Sequence, residues 1–259
     1  MAQFDSIRSA AGARTAEIDA GLRAHMNKVY STMSVGTLIT FLAAWAIAGL
    51  AVTSDPANAV AQLSGDNYLT NFGYAIYASP LKWVIMFAPL AFIFFGFGAA
   101  AKRLPASGVQ LVFYAFAALM GLSISSIFVV FTGESIAQVF LITSVAFAGL
   151  SLVGYTTKKD LSGMGSFLIM GVIGLIVASI VNMFLASSAM AFAISVLGVL
   201  IFAGLTAYDT QRIKNDYLQM VHAGDQEWLA KSAIMGALSL YLDFINMFMF
   251  LLQLFGNRE

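Results

Sequence analysis

Residues 233–255 read AIMGALSLYLDFINMFMFLLQLF, an apolar stretch with one carboxylate, Asp243, near its middle. A charged side chain at the centre of a bilayer costs about 3 kcal/mol even on lenient insertion scales. Such a residue is therefore expected to face a protein-lined interior and to serve a function there. Gly236, Ser239, Asp243, Asn246 and Gln253 recur at spacings of three, four, three and seven, which places them on one face of a helix. The stretch predicts a helix at the centre of a bundle, with that face turned inward.

Working outward, 60% of the 259 residues are hydrophobic and only 10% are charged, a balance foreign to water-soluble domains. Seven stretches are long enough to cross about 30 Å of hydrocarbon as helices: Val35 to Val52, Trp83 to Ala101, Val109 to Phe131, Ile136 to Tyr155, Phe167 to Leu185, Met190 to Tyr208 and Ala233 to Phe255. Runs such as Leu168-Ile169-Met170 break the strict alternation of a transmembrane β-barrel. The expected fold is an all-α integral membrane protein, a seven-transmembrane helix bundle with the last helix central. Residues 1–29 read as a cytoplasmic N-terminal segment and residues 30–259 as the membrane domain.

The 13 Lys and Arg residues orient the bundle. Arg8, Arg14, Arg23 and Lys28 precede the first stretch, Lys102 and Arg103 follow the second, Lys158 and Lys159 the fourth, and Arg212, Lys214 and Lys231 lie between the last two. Only Lys82 and Arg258 fall on the other side. The positive-inside rule then puts the N-terminus in the cytoplasm and the C-terminus outside. The first 29 residues mix both signs of charge and lack the apolar core of a cleavable signal peptide.

The external connection from Thr53 to Lys82 brings Tyr68, Phe72, Tyr74 and Tyr77 to the membrane interface as an aromatic belt. Pro89 is expected to kink the second stretch. Ala117, Gly121 and Ser125, and more gently Gly171, Gly174, Ala178 and Asn182, have the small-residue spacing of close helix packing. Cysteine is absent, which excludes disulfides and thiolate chemistry. His25 and His222 read as surface histidines without a partner spacing, and nothing points to nucleic acid or a cofactor.

Two runs carry a family resemblance. Ala207-Tyr208-Asp209-Thr210-Gln211, at the end of the sixth stretch, resembles the signature of the Bax-inhibitor-1 family, in its bacterial YccA-like branch. Residues 155–168, YTTKKDLSGMGSFL, resemble that family's loop between spans four and five. The resemblance covers residues 25–256. It implies a pH-sensitive calcium leak channel in the bacterial inner membrane, gated by an aspartate pair that corresponds here to Asp209 and Asp243. Tyr208, Gln211, Ser239 and Asn246 then form the supporting polar face. An arginine near the cytoplasmic end of span two latches the span-six aspartate in this family; Arg103 is the matching residue. Trp83 to Ala101 lacks the acidic residue that some relatives carry there.

The physics of such a pair is independent of the family. Two carboxylates in a low-dielectric site do not both ionise cheaply, so they titrate as a coupled unit. One shared proton ties spans six and seven together at low pH. At higher pH the pair repels and offers oxygen ligands, which suit calcium, as permeant or bound ion, better than zinc or copper. As drawn, however, Asp243 lies about 15 Å deep while Asp209 sits at the edge of its stretch. Starting span seven near Leu238, with residues 226–232 interfacial, closes most of that gap.

The alternative function is a non-conducting regulator of stress responses or membrane-protein quality control, with the lipid bilayer, protons and other membrane proteins as its partners. An enzyme is not expected. Tyr208-Asp209 matches half of an intramembrane aspartyl protease, but Leu240-Tyr241-Leu242-Asp243 stands where such proteases carry Gly-x-Gly-Asp.

Overall fold

Among the described residues, seven helices are long and apolar enough to cross a bilayer. The computed structural model describes residues 2–64 and 67–258, with side chains from residue 18 onward except at 58 and 64. Helix α1 runs Ala2–Ala51, and its apolar part begins at Ile18. The others are α2 (Leu81–Arg103), α3 (Ala106–Val130), α4 (Gly133–Thr156), α5 (Ser162–Leu185), α6 (Ser188–Ala223) and α7 (Gln226–Phe255).

No break in α1 marks residue 29. Leu22, Met26, Val29 and Met33 are all buried, and their three- and four-residue spacing carries one inner face through the expected boundary. Segment and bundle therefore share a helix and a core.

Side-chain caps start several helices by accepting the free N–H groups of a first turn. Thr132 accepts from Ser135 N at 3.3 Å for α4, Ser187 from Met190 N at 3.3 Å for α6, and Asp225 from Trp228 N at 2.9 Å for α7. Gly224, at φ 72°, takes the left-handed conformation between α6 and α7. Glu227 of α7 accepts from Ala106 N at 2.7 Å, which joins the α2–α3 turn to the α6–α7 turn.

The connection between α1 and α2 is more ordered than the sequence indicates. It forms an antiparallel sheet of β1 (Val52–Thr53), β2 (Ala61–Ser64) and β3 (Asn67–Leu69), with β3 in the middle. Helical residues 71–78 follow, and there Phe72 and Tyr74 are exposed. Tyr77 instead donates to Ser125 Oγ at 2.9 Å. In α2, Pro89 lies inside the helix and the hydrogen bonding widens to a π pattern over Phe92–Phe97. Proline supplies no N–H, and such widening re-satisfies freed backbone groups.

Helix α7 is the centre: 67% of its apolar window is buried, against 11% for α2 and for α5. It packs on α6, α1, α4 and α3, while α2 attaches through α3 and α5 through α6. Apolar burial drives little association in lipid, so close approach and hydrogen bonds hold the helices together. Gly121 lets α3 reach the backbone of α1 at Thr40 and Ala44. The Thr40 hydroxyl lies 2.8 Å from Ala117 O and 2.7 Å from the Tyr241 hydroxyl, joining α1, α3 and α7. In α5, Gly171 meets Ile201 of α6, but Gly174 faces open space and Asn182 accepts from Ser187 N in the turn.

The two ends of the bundle are distinct. Thr132 N donates to Asn257 O, and Asn257 N to Ser135 Oγ, each at 3.0 Å, so the C-terminal residues dock on the α3–α4 turn. At the opposite end, His25 of α1 packs against Tyr217 of α6, with ring centroids 4.9 Å apart and the planes tilted by 38°.

Candidate functional site: a buried carboxylate pair between α6 and α7

The polar face of α7 is turned toward α6. Gly236 leaves room for Ile213, Ser239 meets Arg212, and Gln253 accepts from Ser195 Oγ at 2.8 Å. Phe250 fits over Gly198. These contacts define one antiparallel register, in which Asp243 lies level with the turn 206–209. Asp209 and Asp243 are both buried.

The depth mismatch inferred from the sequence vanishes because the span boundaries differ. Helix α6 continues past Tyr208 to Met220 and then a 3-10 turn to Ala223, while α7 is unbroken from Gln226. Asp209 therefore lies about four helical turns before Gly224 and Asp243 about five turns after it. No interfacial segment at 226–232 interrupts α7. Hydropathy falls beyond Tyr208 because Asp209, Arg212, Lys214 and Asp216 are charged, yet their helix continues.

Each carboxylate feels the charges around it: Asp243 those of Asp209 and Arg212, and Asp209 those of Arg212 and Asp216. Among the described residues, Asp243 Oδ2 has no hydrogen-bond partner. Leaving a buried acceptor unpaired is costly, more so for a charged group. Among the described residues no three acidic or histidine side chains cluster around an ion position. Two carboxylates supply fewer oxygens than the six to eight of a resident calcium cage.

The remaining expected site residues scatter. Ser239 accepts from Arg212 Nη2 at 3.1 Å. Asn246 donates back to Leu242 O of its own helix at 2.8 Å. Tyr208 packs over Gly165 of α5, and the Arg212 guanidinium lies 5.7 Å from its ring centre. Gln211 points away from α7: it accepts from Leu161 N and donates to Lys159 O, each at 2.8 Å. Arg103 is exposed at the end of α2. Among the described residues, the guanidinium that pairs with Asp209 is that of Arg212, at 3.3 Å.

Arg212 is the residue that sequence reading counted only toward topology. Its signal is the three-residue spacing from Asp209 on a helix, which is legible once α6 is known to continue. His25, expected at the surface, is buried, and among the described residues its Nε2 has no hydrogen-bond partner.

The two sequence runs noted above form one structural unit. Gln211 holds the 159–161 loop, Tyr208 covers Gly165, and Lys214 Nζ donates to Tyr155 O at 2.7 Å. The family described as "Inhibitor of apoptosis-promoting Bax1" matches residues 22–259. The chain belongs to the Bax inhibitor-1 family.

Relatives of this Bax inhibitor-1 protein cover nearly all of it. Inner membrane protein YbhL of Escherichia coli is 42% identical over 240 residues, 93% of this chain and 94% of its own. An uncharacterized protein of Caulobacter vibrioides is 46% identical over 243 residues, 93% of this chain and 92% of its own. One from Borreliella burgdorferi is 38% identical over 232 residues, 90% and 91%. The Bax inhibitor-1 match begins at Leu22, where α1 presents its first buried side chain among those described.

Proposed function

We propose that the protein is a pH-sensitive, calcium-permeable leak channel of the bacterial inner membrane, gated by Asp209 and Asp243. The observation that supports it is a pair of buried carboxylates on facing helices, one with an oxygen that has no hydrogen-bond partner among the described residues. At low pH a proton held by the pair relieves their repulsion and keeps α6 against α7. At higher pH both carboxylates ionise and repel. Arg212 then exchanges between Asp209 and the α7 side, and the separated helices admit a hard divalent cation. Inner-membrane placement is supported by the name of the E. coli relative. A cytoplasmic N-terminus and an external C-terminus follow from the eleven basic residues on one side.

The test is calcium flux into dye-loaded liposomes holding only this protein, from pH 6 to 8. The parent is expected to conduct more as pH rises, and Asp209→Asn and Asp243→Asn to lose the pH dependence. Mutants that titrate like the parent sink the gating mechanism.

A second reading, a non-conducting regulator of another membrane protein, is supported by the family description, which names an inhibitor of a protein. Under that reading the same carboxylate pair switches a docking conformation. Absence of flux from folded protein at every pH selects it.

A further inference from the structure

Helices α1 and α4 diverge on the outside of the bundle and leave a groove of about 1020 Å³, floored by Phe244 of α7. Its α1 wall runs from Arg23 to Phe41 and its α4 wall from Gly133 to Tyr155. At helical rise these are about 27 Å and about 33 Å, the full thickness of the hydrocarbon core.

Among the described lining residues, charge is confined to one end of the groove. Arg23, Asn27 and Tyr30 line the end near the α6–α7 turn. Farther along, Thr37 and Ser144 return their hydroxyls to Met33 O and Phe140 O of their own helices, at 3.0 Å and 2.8 Å. The surface they present is therefore apolar. Among the described residues Arg23 has no acidic partner within salt-bridge distance, and it is exposed.

We propose that this groove binds one anionic phospholipid, its acyl chains along the apolar length and its phosphate on Arg23. The cation at one mouth and the apolar half of the slot beside it match one lipid of one leaflet, whose chains reach about 15 Å, half the hydrocarbon core. Ala137, Ser144 and Ala148 give the slot depth on the α4 side, and the α1 wall mixes Ser34 and Thr37 with Met33, Leu38 and Phe41. Met33, unbranched and flexible, adapts to the shape of a hydrocarbon chain. The lipid also reaches the carboxylate site indirectly: the Tyr30 hydroxyl lies 2.6 Å from Ser151 Oγ, which lies 2.9 Å from Thr210 Oγ1 beside Asp209.

The experiment reconstitutes the full chain in equal phosphatidylglycerol and phosphatidylcholine, re-extracts it in mild detergent and weighs it by native mass spectrometry. One retained lipid is expected, with phosphatidylglycerol favoured about tenfold, because both lipids offer Arg23 a phosphate but phosphatidylcholine adds a quaternary ammonium that the guanidinium repels. Arg23→Gln is expected to bring the two lipids to parity. The groove-filling pair Ala137→Phe and Ala148→Phe is expected to abolish retention. No lipid on the parent, unchanged selectivity in Arg23→Gln, or a lipid-free dimer overturns the proposal; if the filled variant does not fold, Arg23→Gln decides alone.

Discussion

Arg212 Nη2 lies 3.3 Å from Asp209 Oδ1, one helical turn back on α6. The same nitrogen donates to Ser239 Oγ on α7 at 3.1 Å. One guanidinium thus spans the two helices at the level of the buried pair. Its positive charge offsets the negative charge of the two carboxylates. Arg212→Gln is expected to lower calcium flux at pH 7 toward the closed level. Arg103→Gln, at an exposed position, is expected to leave the pH profile of the parent unchanged. The reverse pattern in the liposome assay assigns the latch to Arg103.

Gln211 fastens the α4–α5 loop through Lys159 O and Leu161 N. Removing both bonds costs about 1–3 kcal/mol locally. Gln211→Ala is expected to speed tryptic cleavage at Lys158 and Lys159 several-fold, as followed by gel. Asp160 in the same loop accepts from Ser162, whose hydroxyl and N–H hold its carboxyl below the usual carboxylate range. That contribution is complete above about pH 4 and is lost only as pH falls through the lowered value. Cleavage that varies between pH 6 and 8 therefore originates outside Asp160.

Gly154 of α4 sits against the carbonyl of Ala207, in the signature run of α6. A side chain there meets backbone, which cannot rotate away. Gly154→Val is expected to cost about 1–3 kcal/mol by overpacking and to lower the temperature of thermal unfolding in detergent. Gly149→Val on the same helix faces open space and is expected to leave that temperature nearly unchanged. Equal losses at both positions would show that helix propensity, not contact, governs the effect.

Tyr241 is fully buried, with its hydroxyl 2.7 Å from Thr40 Oγ1 and its ring edge-on to Phe113. Tyr241→Phe keeps the ring packing and removes one hydrogen bond, worth about 1 kcal/mol. A small decrease in thermal stability with unchanged flux is expected. Tyr241→Ala adds a cavity at the junction of α1, α3 and α7 and is expected to cost about 3–5 kcal/mol. Calorimetry on the two variants separates hydroxyl from ring.

Sequence alone determined the seven crossings, the central place of α7, and the burial of Asp243, because hydropathy and helical spacing are local properties written along one chain. It also identified the family through two short runs. Tertiary structure decided the partners. Arg212 rather than Arg103 reaches Asp209, Gln211 turns to the 159–161 loop, and His25 is buried. Each of these depends on the register between two helices, which neither helix encodes by itself. Charged residues after Tyr208 lower hydropathy without ending the helix, and only the packed bundle shows that α6 continues far enough for Asp209 to face α7. The groove between α1 and α4 is likewise a property of divergence between helices, to which no single helix's spacing points.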